Sequence, residues 1–349
     1  MASENRQSLP ALGPVSSADR IDAIDTLRGV ALLGILTINI TAYALPFAAY
    51  FNPQAAGGAT GINLVMWFFS HILFESKMMA IFSMLFGAGM ILMYERAQAA
   101  GRPFGGIYYR RIWWLLVIGL LHAYVLWYGD ILVTYAVCGL LLYLFRRRSP
   151  RTLIILGLLT LLFGGLLRTG SGYNFGRMQE QANKLDEKIA TGYEPSAGEL
   201  SFRRDWDGLK RGFAPSPEQV AEDAEKMRGD AGTVLKTNAA ASVLMHTQAL
   251  PFMLLWRGLS MMLLGMGLMK LGVFSAERSK RFYALWTILG FGVGLPIVAY
   301  GAFRLEAHDF DFIQNFFIDG HFNYFGSVLV AMGYVSLVML LYKSGVLGG

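Results

Sequence analysis

Charge is scarce in this sequence. Of 349 residues, 15% are Asp, Glu, Lys or Arg, while 54% are hydrophobic. Soluble domains carry about 25% charged residues. A water-soluble core cannot hold that apolar surplus, so lipid is the solvent the composition implies. Cysteine is nearly missing as well. A lone Cys138 excludes an intrachain disulfide framework and a cysteine-built metal site. No P-loop, dinucleotide glycine fingerprint, Gly-x-Ser-x-Gly elbow or His-Glu-x-x-His motif occurs, and no metal site is expected. Aromatic-basic interleaving and zinc spacing are absent, so nucleic acid is not an expected partner. The net charge of +6 points instead to cytoplasmic loops facing anionic lipid. A secretory signal is lacking too. Residues 1–27 are polar and the apolar run starts only after Arg28, with no cleavage site behind a short core. Residues 1–19 are expected to be a disordered cytoplasmic tail.

What is abundant is apolar sequence in long runs. A helix crossing a bilayer needs about 20 such residues. The runs cover 29–50, 62–94, 107–128, 131–146, 152–168, 250–273, 282–303 and 322–342. Two are ambiguous: 62–94 holds Glu75 and Lys77 near its middle, and 237–273 can be split at Pro251 and Arg257. Loop charge decides, because cytoplasmic loops are enriched in Lys and Arg. Splitting 62–94 alone would send Arg96, Arg102, Arg110 and Arg111 outside. With 62–94 and 250–273 each taken as one span, those residues share a side with Arg146–Arg148, Arg151, Arg278, Lys280, Arg281 and Lys343. The expectation is an all-α, polytopic helical membrane protein of about eight spans, with both ends cytoplasmic. The segment 237–249 becomes an interfacial approach. The chain then divides into the tail, an N-terminal membrane bundle of about five spans over 20–168, an extracytoplasmic insert over 169–236, and a C-terminal bundle of about three spans over 237–349. The insert reads as short amphipathic helices on loops, too small and polar for a sizeable core.

Ionisable residues inside a membrane cost about 2.5–3.5 kcal/mol each on insertion scales, so each needs a partner or a purpose. Asp25 and Arg28, spaced i, i+3 at the mouth of the first span, can pair. Arg28 is equally a phosphate ligand or a positive-inside anchor. Asn39, midway along the same span, holds a substrate or makes an interhelical hydrogen bond. Glu75 and Lys77 do not share a helix face, so the helix breaks between them or each finds another partner. A break at that depth is tolerated where it lines a cavity. His71, one turn before Glu75, can pair with it. His122 and Asp130 would stand about 12 Å apart on a regular helix, so a dyad needs a bend. His122 is a candidate general base or a satisfied core histidine. Asp130 orients it, positions an acceptor, or caps the next helix. Arg110 and Arg111, flanked by Tyr108, Tyr109, Trp113 and Trp114, are an interfacial anchor or a phosphate clamp.

The opening Arg20-Ile-Asp-Ala-Ile-Asp25-Thr-Leu-Arg28-Gly29, running on to Gly34 and Asn39, resembles that of the YeiB family, a group named for a domain of unknown function. Four further segments share the resemblance: Asn39–Pro46 with Asn52-Pro53, Ile81–Gly89, Gly119–His122 with Gly129–Leu132, and Leu264-Gly265-Met266. It covers about 20–343 and is weakest across 169–236. Family members continue with a Gly-Arg-Met-x-Leu-Thr-Asn-Tyr-like motif and more spans, and no such motif precedes Gly349. The same opening is similar to that of transmembrane acyltransferases, in which Asp-Thr-Phe-Arg-Gly stands where this chain has Asp25-Thr26-Leu27-Arg28-Gly29. Those enzymes move an acyl group from cytoplasmic acyl-CoA to an acceptor across the membrane, with a histidine in the loop after the first span. The matching loop here, 51–61, has none.

The resemblance implies acyl-CoA as donor and a small-molecule or glycan acceptor outside; the residues themselves offer Arg28, Arg110 and Arg111 as candidate phosphate ligands for it and His122 with Asp130 as the candidate catalytic pair. The resemblance also implies a bacterial inner-membrane location. Two other classes remain open. Asp25, Asn39, Glu75 and Lys77 can line the pathway of a proton- or ion-coupled transporter. A non-catalytic membrane scaffold is the third.

Overall fold

The computed structural model describes residues 22–56 and 58–347, all but the Phe47 side chain. The expected tail over 1–19 lies outside the described residues. Helices α1 (Asp22–Ala44), α2 (Gly61–Leu73), α3 (Lys77–Ala99), α4 (Phe104–Leu121) and α5 (Leu132–Phe145) lead into α6 (Pro150–Ala190). Then come α7 (Ala197–Phe213), α8 (Pro217–Met227), α9 (Ala231–Leu244), α10 (Leu255–Lys270), α11 (Lys280–Leu289), α12 (Leu295–Ala307), the short α13 (Phe312–Gln314) and α14 (Gly320–Lys343). No β-strand occurs among the described residues.

Six helices among the described residues are long and apolar enough to cross a membrane: Asp22–Ala44, Gly61–Ala99, Pro150–Ala190, Ala231–Lys270, Lys280–Ala307 and Phe312–Lys343. The two other expected spans are helical as well. They form α4 and the shorter apolar α5, which pack on each other. Large aliphatic side chains face outward in stripes, such as Leu158, Leu159, Leu162 and Leu166 on α6 or Leu285 and Ile288 on α11. Exposed stripes of this size need lipid against them. The protein is an integral membrane protein.

Two spans run farther than their apolar sequence. Helix α6 continues past 168 to Ala190, so its 41 residues rise about 60 Å, twice a bilayer core. Hydropathy falls there, but helix-forming Gln, Glu and Lys residues and a Lys184–Glu180 pair at i, i+4 (2.5 Å) carry the helix on. The segment expected as an approach to the membrane is likewise continuous with its span, through a π-helical stretch Met245–Leu254 that contains Pro251. A proline removes a ladder donor, and a π-turn is one way to accommodate it.

The core is the seam between α3 and α10. A Cβ on Gly87 would strike the Met262 backbone, and one on Gly265 the Met84 backbone. The two helices therefore touch through their main chains, as small residues permit in membranes. Ile81, Met84, Ala88, Met261, Met262 and Met266 seal the seam. The insert has only a satellite cluster, Ala182, Trp206 and Phe312, with the Phe213 and Phe312 rings stacked at 5.3 Å. Capping boxes start its helices, Ser196 with Glu199 on α7 and Ser216 with Gln219 on α8.

Charge sorts to opposite ends of the bundle. At one end Lys270 Nζ donates to the carbonyls of Arg146 and Arg148, and Lys343 Nζ to that of Ala276. The other end holds the polar clusters.

Candidate functional site

Helix α4 ends in a π-helical turn, His122–Leu126, closed by Trp127 N–H donating to the His122 carbonyl at 2.9 Å. The chain then turns through Tyr128-Gly129. A side chain at Gly129 would run into the Trp127 ring, so the turn needs glycine there. This reversal brings Asp130 back onto His122, with Nδ1 and Oδ2 at 2.8 Å. Asp130 is buried, and its other oxygen accepts the Val133 N–H at 2.8 Å in the first turn of α5. Asp130 thus makes one bond to His122 and one to the start of α5. The His122 side chain keeps 32% exposure. With Nδ1 engaged, Nε2 is the nitrogen left to meet a ligand.

The turn is held from outside by α9. Asn238 accepts from Tyr128 N–H at 2.7 Å and donates to the Ala123 carbonyl at 2.8 Å, and Ser242 Oγ donates to the same carbonyl at 2.7 Å. Trp127 packs on Tyr43 of α1 at 4.3 Å and presents an edge to His122 at 6.5 Å. Its indole N–H is buried without a partner. Asn238, Ser242 and Trp127 escaped the sequence reading. A buried polar pair spaced i, i+4 on α9 was the available signal.

A second cluster forms where α2 meets α3. The helix breaks at Phe74–Ser76, and Ser76 takes a left-handed φ of 64°. Glu75 turns back to His71, Oε2 to Nδ1 at 2.6 Å, and Lys77 Nζ donates to the His71 carbonyl (2.6 Å) and Asn323 Oδ1 (2.7 Å). The expected break and the expected partners both occur. Two arginines from apolar helices complete the cluster. Arg168 donates to the Asn315 carbonyl at 3.0 Å and to its side-chain oxygen, and stacks on Phe316. Arg257 donates to the Tyr324 carbonyl and to Ser327 Oγ (2.6 Å), and stacks on Tyr324. Glu75 lies within electrostatic reach of Lys77 and Arg168, and Lys77 within reach of Arg257. Above them, burial first and Glu75 second push the Tyr50 phenol well above its ordinary pKa. Arg168 and Arg257, as charges inside apolar runs, were visible but read as a span end and a split point.

A third group sits at the same end. Asp319, fully buried, accepts from Arg304 Nε at 2.7 Å and bonds His308 Nδ1 at 2.5 Å. His308 had no expected role.

The remaining candidates lie apart. Asp25 and Arg28 pair at 2.8 Å on an exposed face, and Arg28 lies beside Gly89 of α3. Arg110 lines an open groove with Arg102, Pro103, Gly106 and Ile107 at the start of α4, while Arg111 turns to Met93 Sδ at 2.9 Å. Arg110 is about 18 Å of helix rise from His122. Asn39 is half-buried on α1, one turn before Tyr43. No cluster of three or more His, Cys, Asp or Glu side chains able to hold a metal occurs among the described residues.

Comparison with known proteins finds bacterial relatives without a stated activity. A family model described as "Protein of unknown function (DUF418)" matches residues 268–347. The chain is 28% identical over 294 residues to Uncharacterized protein YeiB of Escherichia coli K12, covering 80% of this chain and 65% of that one. It is 36% identical over 156 residues to Uncharacterized protein YxaH of Bacillus subtilis 168, covering 42% and 38%. An uncharacterized 39.9 kDa protein in the amylase 3' region of Bacillus acidopullulyticus is 32% identical over 152 residues, covering 44% and 41%. Each match spans less than two thirds of the relative's own length. No solved structure matches the chain.

Proposed function

For a chain that belongs to the DUF418 family, we propose the function of a membrane acyltransferase that moves an acyl group from cytoplasmic acyl-CoA to an acceptor on the far side. The observation that carries this reading is the His122–Asp130 hydrogen bond at 2.8 Å, made by a buried carboxylate to a partly exposed imidazole. A carboxylate on Nδ1 fixes the tautomer whose Nε2 takes a proton, the arrangement general-base catalysis needs.

The topology that goes with it has eight spans, α4 and α5 included, and both ends in the cytoplasm of a bacterial inner membrane. The arginine and lysine loops at one end support that orientation. The insert, His122 and Asp130 then face outward. Arg110 and its groove, with Arg28 and Arg111, lie at the cytoplasmic face, where guanidinium groups suit the phosphates of CoA. CoA carries its thioester at the end of a long pantetheine arm, which suits a phosphate site set back from the dyad. In the reaction, Nε2 of His122 takes the proton of an acceptor hydroxyl or amine as that atom attacks the acyl carbonyl. In this reading the Trp127 N–H, which has no partner in the structure, donates to the developing oxyanion. The C–S bond then breaks, and the leaving thiolate takes the proton from the imidazolium. Asp130 holds Nδ1–H throughout.

The test uses the full chain in lipid nanodiscs with labelled acetyl-CoA, water serving as the acceptor. Release of CoA is expected to fall about 10²–10⁴-fold in His122→Ala, with acetyl-CoA binding kept, whereas Arg110→Ala weakens binding. Wild-type protein that neither binds nor cleaves acetyl-CoA overturns the reading.

A second reading rests on the broken helix at Glu75 and Lys77, a feature of transporter sites. It predicts proton-coupled flux in proteoliposomes that Glu75→Gln abolishes. Flux unchanged in that variant removes it.

A further inference from the structure

Lys77, Arg168 and Arg257 enter the bundle from three different helices, and none of them is ion-paired among the described residues. Every acceptor they use is neutral: two main-chain carbonyls and two amide oxygens, a further carbonyl from Tyr324, and the Ser327 hydroxyl. Lys77 is 0% exposed and Arg257 is 6% exposed. Lysine and arginine are almost never buried this deeply without a counter-charge. Among the described residues the carboxylate within reach is Glu75, and its hydrogen bond goes to His71. Three cations against one carboxylate leave an excess of two positive charges.

The donors are not exhausted either. Arg168 Nε and His71 Nε2 are buried with no hydrogen-bond partner. His71 is itself 5% exposed, fixed by its bond to Glu75 and by the Trp67 ring stacked on it at 4.7 Å. A buried N–H without an acceptor, as at Arg168 Nε, costs about 1–3 kcal/mol, and beside the open ring nitrogen of His71 it marks a missing partner better than it marks a packing flaw. The rings of Phe316 and Tyr324 hold the two guanidinium planes, so the donors are pre-positioned. Approach is open, because Arg168 is only half-buried and the Glu75 side chain keeps 20% exposure.

We propose that Lys77, Arg168 and Arg257, with His71, form a binding site for a phosphate group at the end of the bundle opposite the basic loops. A phosphate dianion balances the excess charge, and its several oxygens answer guanidinium and ammonium donors that arrive from different directions. The site lies about 30 Å of helix rise from Lys343 and about 20 Å from Lys270, at the level where a lipid headgroup or a dissolved phosphate reaches the protein. It shares no residue with the acyl-transfer reading and does not depend on it.

The test measures thermal unfolding of the purified full chain by tryptophan fluorescence. One arm titrates inorganic phosphate against chloride at equal ionic strength in detergent. The other compares nanodiscs doped with phosphatidate against pure phosphatidylcholine. A hundredfold excess of a bound probe is expected to raise the midpoint by about 5 °C. A response to inorganic phosphate identifies a free phosphate group, and a response to phosphatidate alone identifies a headgroup. Either response must weaken at least tenfold in probe concentration in Arg257→Gln and in Arg168→Gln. The second variant can still donate to Asn315 and carries the test if the first does not fold. The proposal is overturned if neither probe shifts the midpoint and denatured protein releases no phosphorus. It is equally overturned if the shift is unchanged in both variants.

Discussion

His122 Nδ1 and Asp130 Oδ2 stand 2.8 Å apart, although an unbroken helix over the same residues would separate them by about 12 Å. The π-turn and the Gly129 reversal together close that gap, and Asp130 is tied into α5 by the Val133 N–H.

Asp130→Ala removes a buried hydrogen bond to His122 and the acceptor of Val133 N–H at once. It is expected to destabilise the protein by about 2–4 kcal/mol. Asp130→Asn keeps an acceptor for Val133 and should cost less than half of that. Thermal unfolding of both variants in the same nanodiscs checks the order, and equal losses would show that the His122 bond and the α5 cap cannot be separated.

The α3–α10 seam makes a sharper claim. Ala at Gly265 has no space against the Met84 backbone, so the helices must part. Overpacking of cores costs about 1–3 kcal/mol, and a main-chain obstacle puts Gly265→Ala at the upper end. Gly29→Ala, with nothing near its would-be Cβ, is the control and should be neutral. A stability difference below the control's scatter would contradict the packing.

Ser76 sits at a left-handed φ of 64° between Glu75 and Lys77. Ser76→Gly relieves strain of about 1 kcal/mol, whereas Ser76→Val adds about 1–2 kcal/mol. Chemical unfolding midpoints of the pair should move in opposite directions from wild type.

The capping box of α7 predicts a dependence on acid. Backbone and side-chain hydrogen bonds from Ser196 hold the Glu199 carboxyl below its ordinary pKa. A carboxyl depressed in the folded state stabilises above its unfolded pKa, and that contribution is lost as pH falls through the folded value. Amides in the first turn of α7 should lose protection against hydrogen exchange on acidification, after correction for intrinsic rates. In Ser196→Ala they should be weakly protected at every pH.

Much of this was legible in the sequence, and for stated reasons. Intramembrane charge is rare enough that Glu75, Lys77 and His122 announced themselves, and i, i+4 spacing named the His71–Glu75 pair. Two-residue spacing left a break between Glu75 and Lys77 as one of two alternatives, and the break falls at Ser76. What escaped was whatever depends on long-range arrangement. The sequence offers no hint that Asn323, 246 residues away, receives Lys77. Nor does it show that Asn238 braces the turn at Tyr128, since neither local spacing nor hydropathy encodes that contact. The end of α6 was placed about 20 residues early because hydropathy marks where lipid stops, not where a helix does.

That overrun has a mechanical meaning. Past its apolar stretch α6 runs on as a mast, and α7 meets the segment Phe47–Tyr50, with the Phe213 ring against Phe51 at 5.3 Å. Helix α8 settles on the neighbouring turn, Pro53–Ala56. The insert is thus tied to the segment that carries Tyr50, and Tyr50 lies within electrostatic reach of Glu75, so a shift of α7 is felt at the edge of the Glu75 cluster.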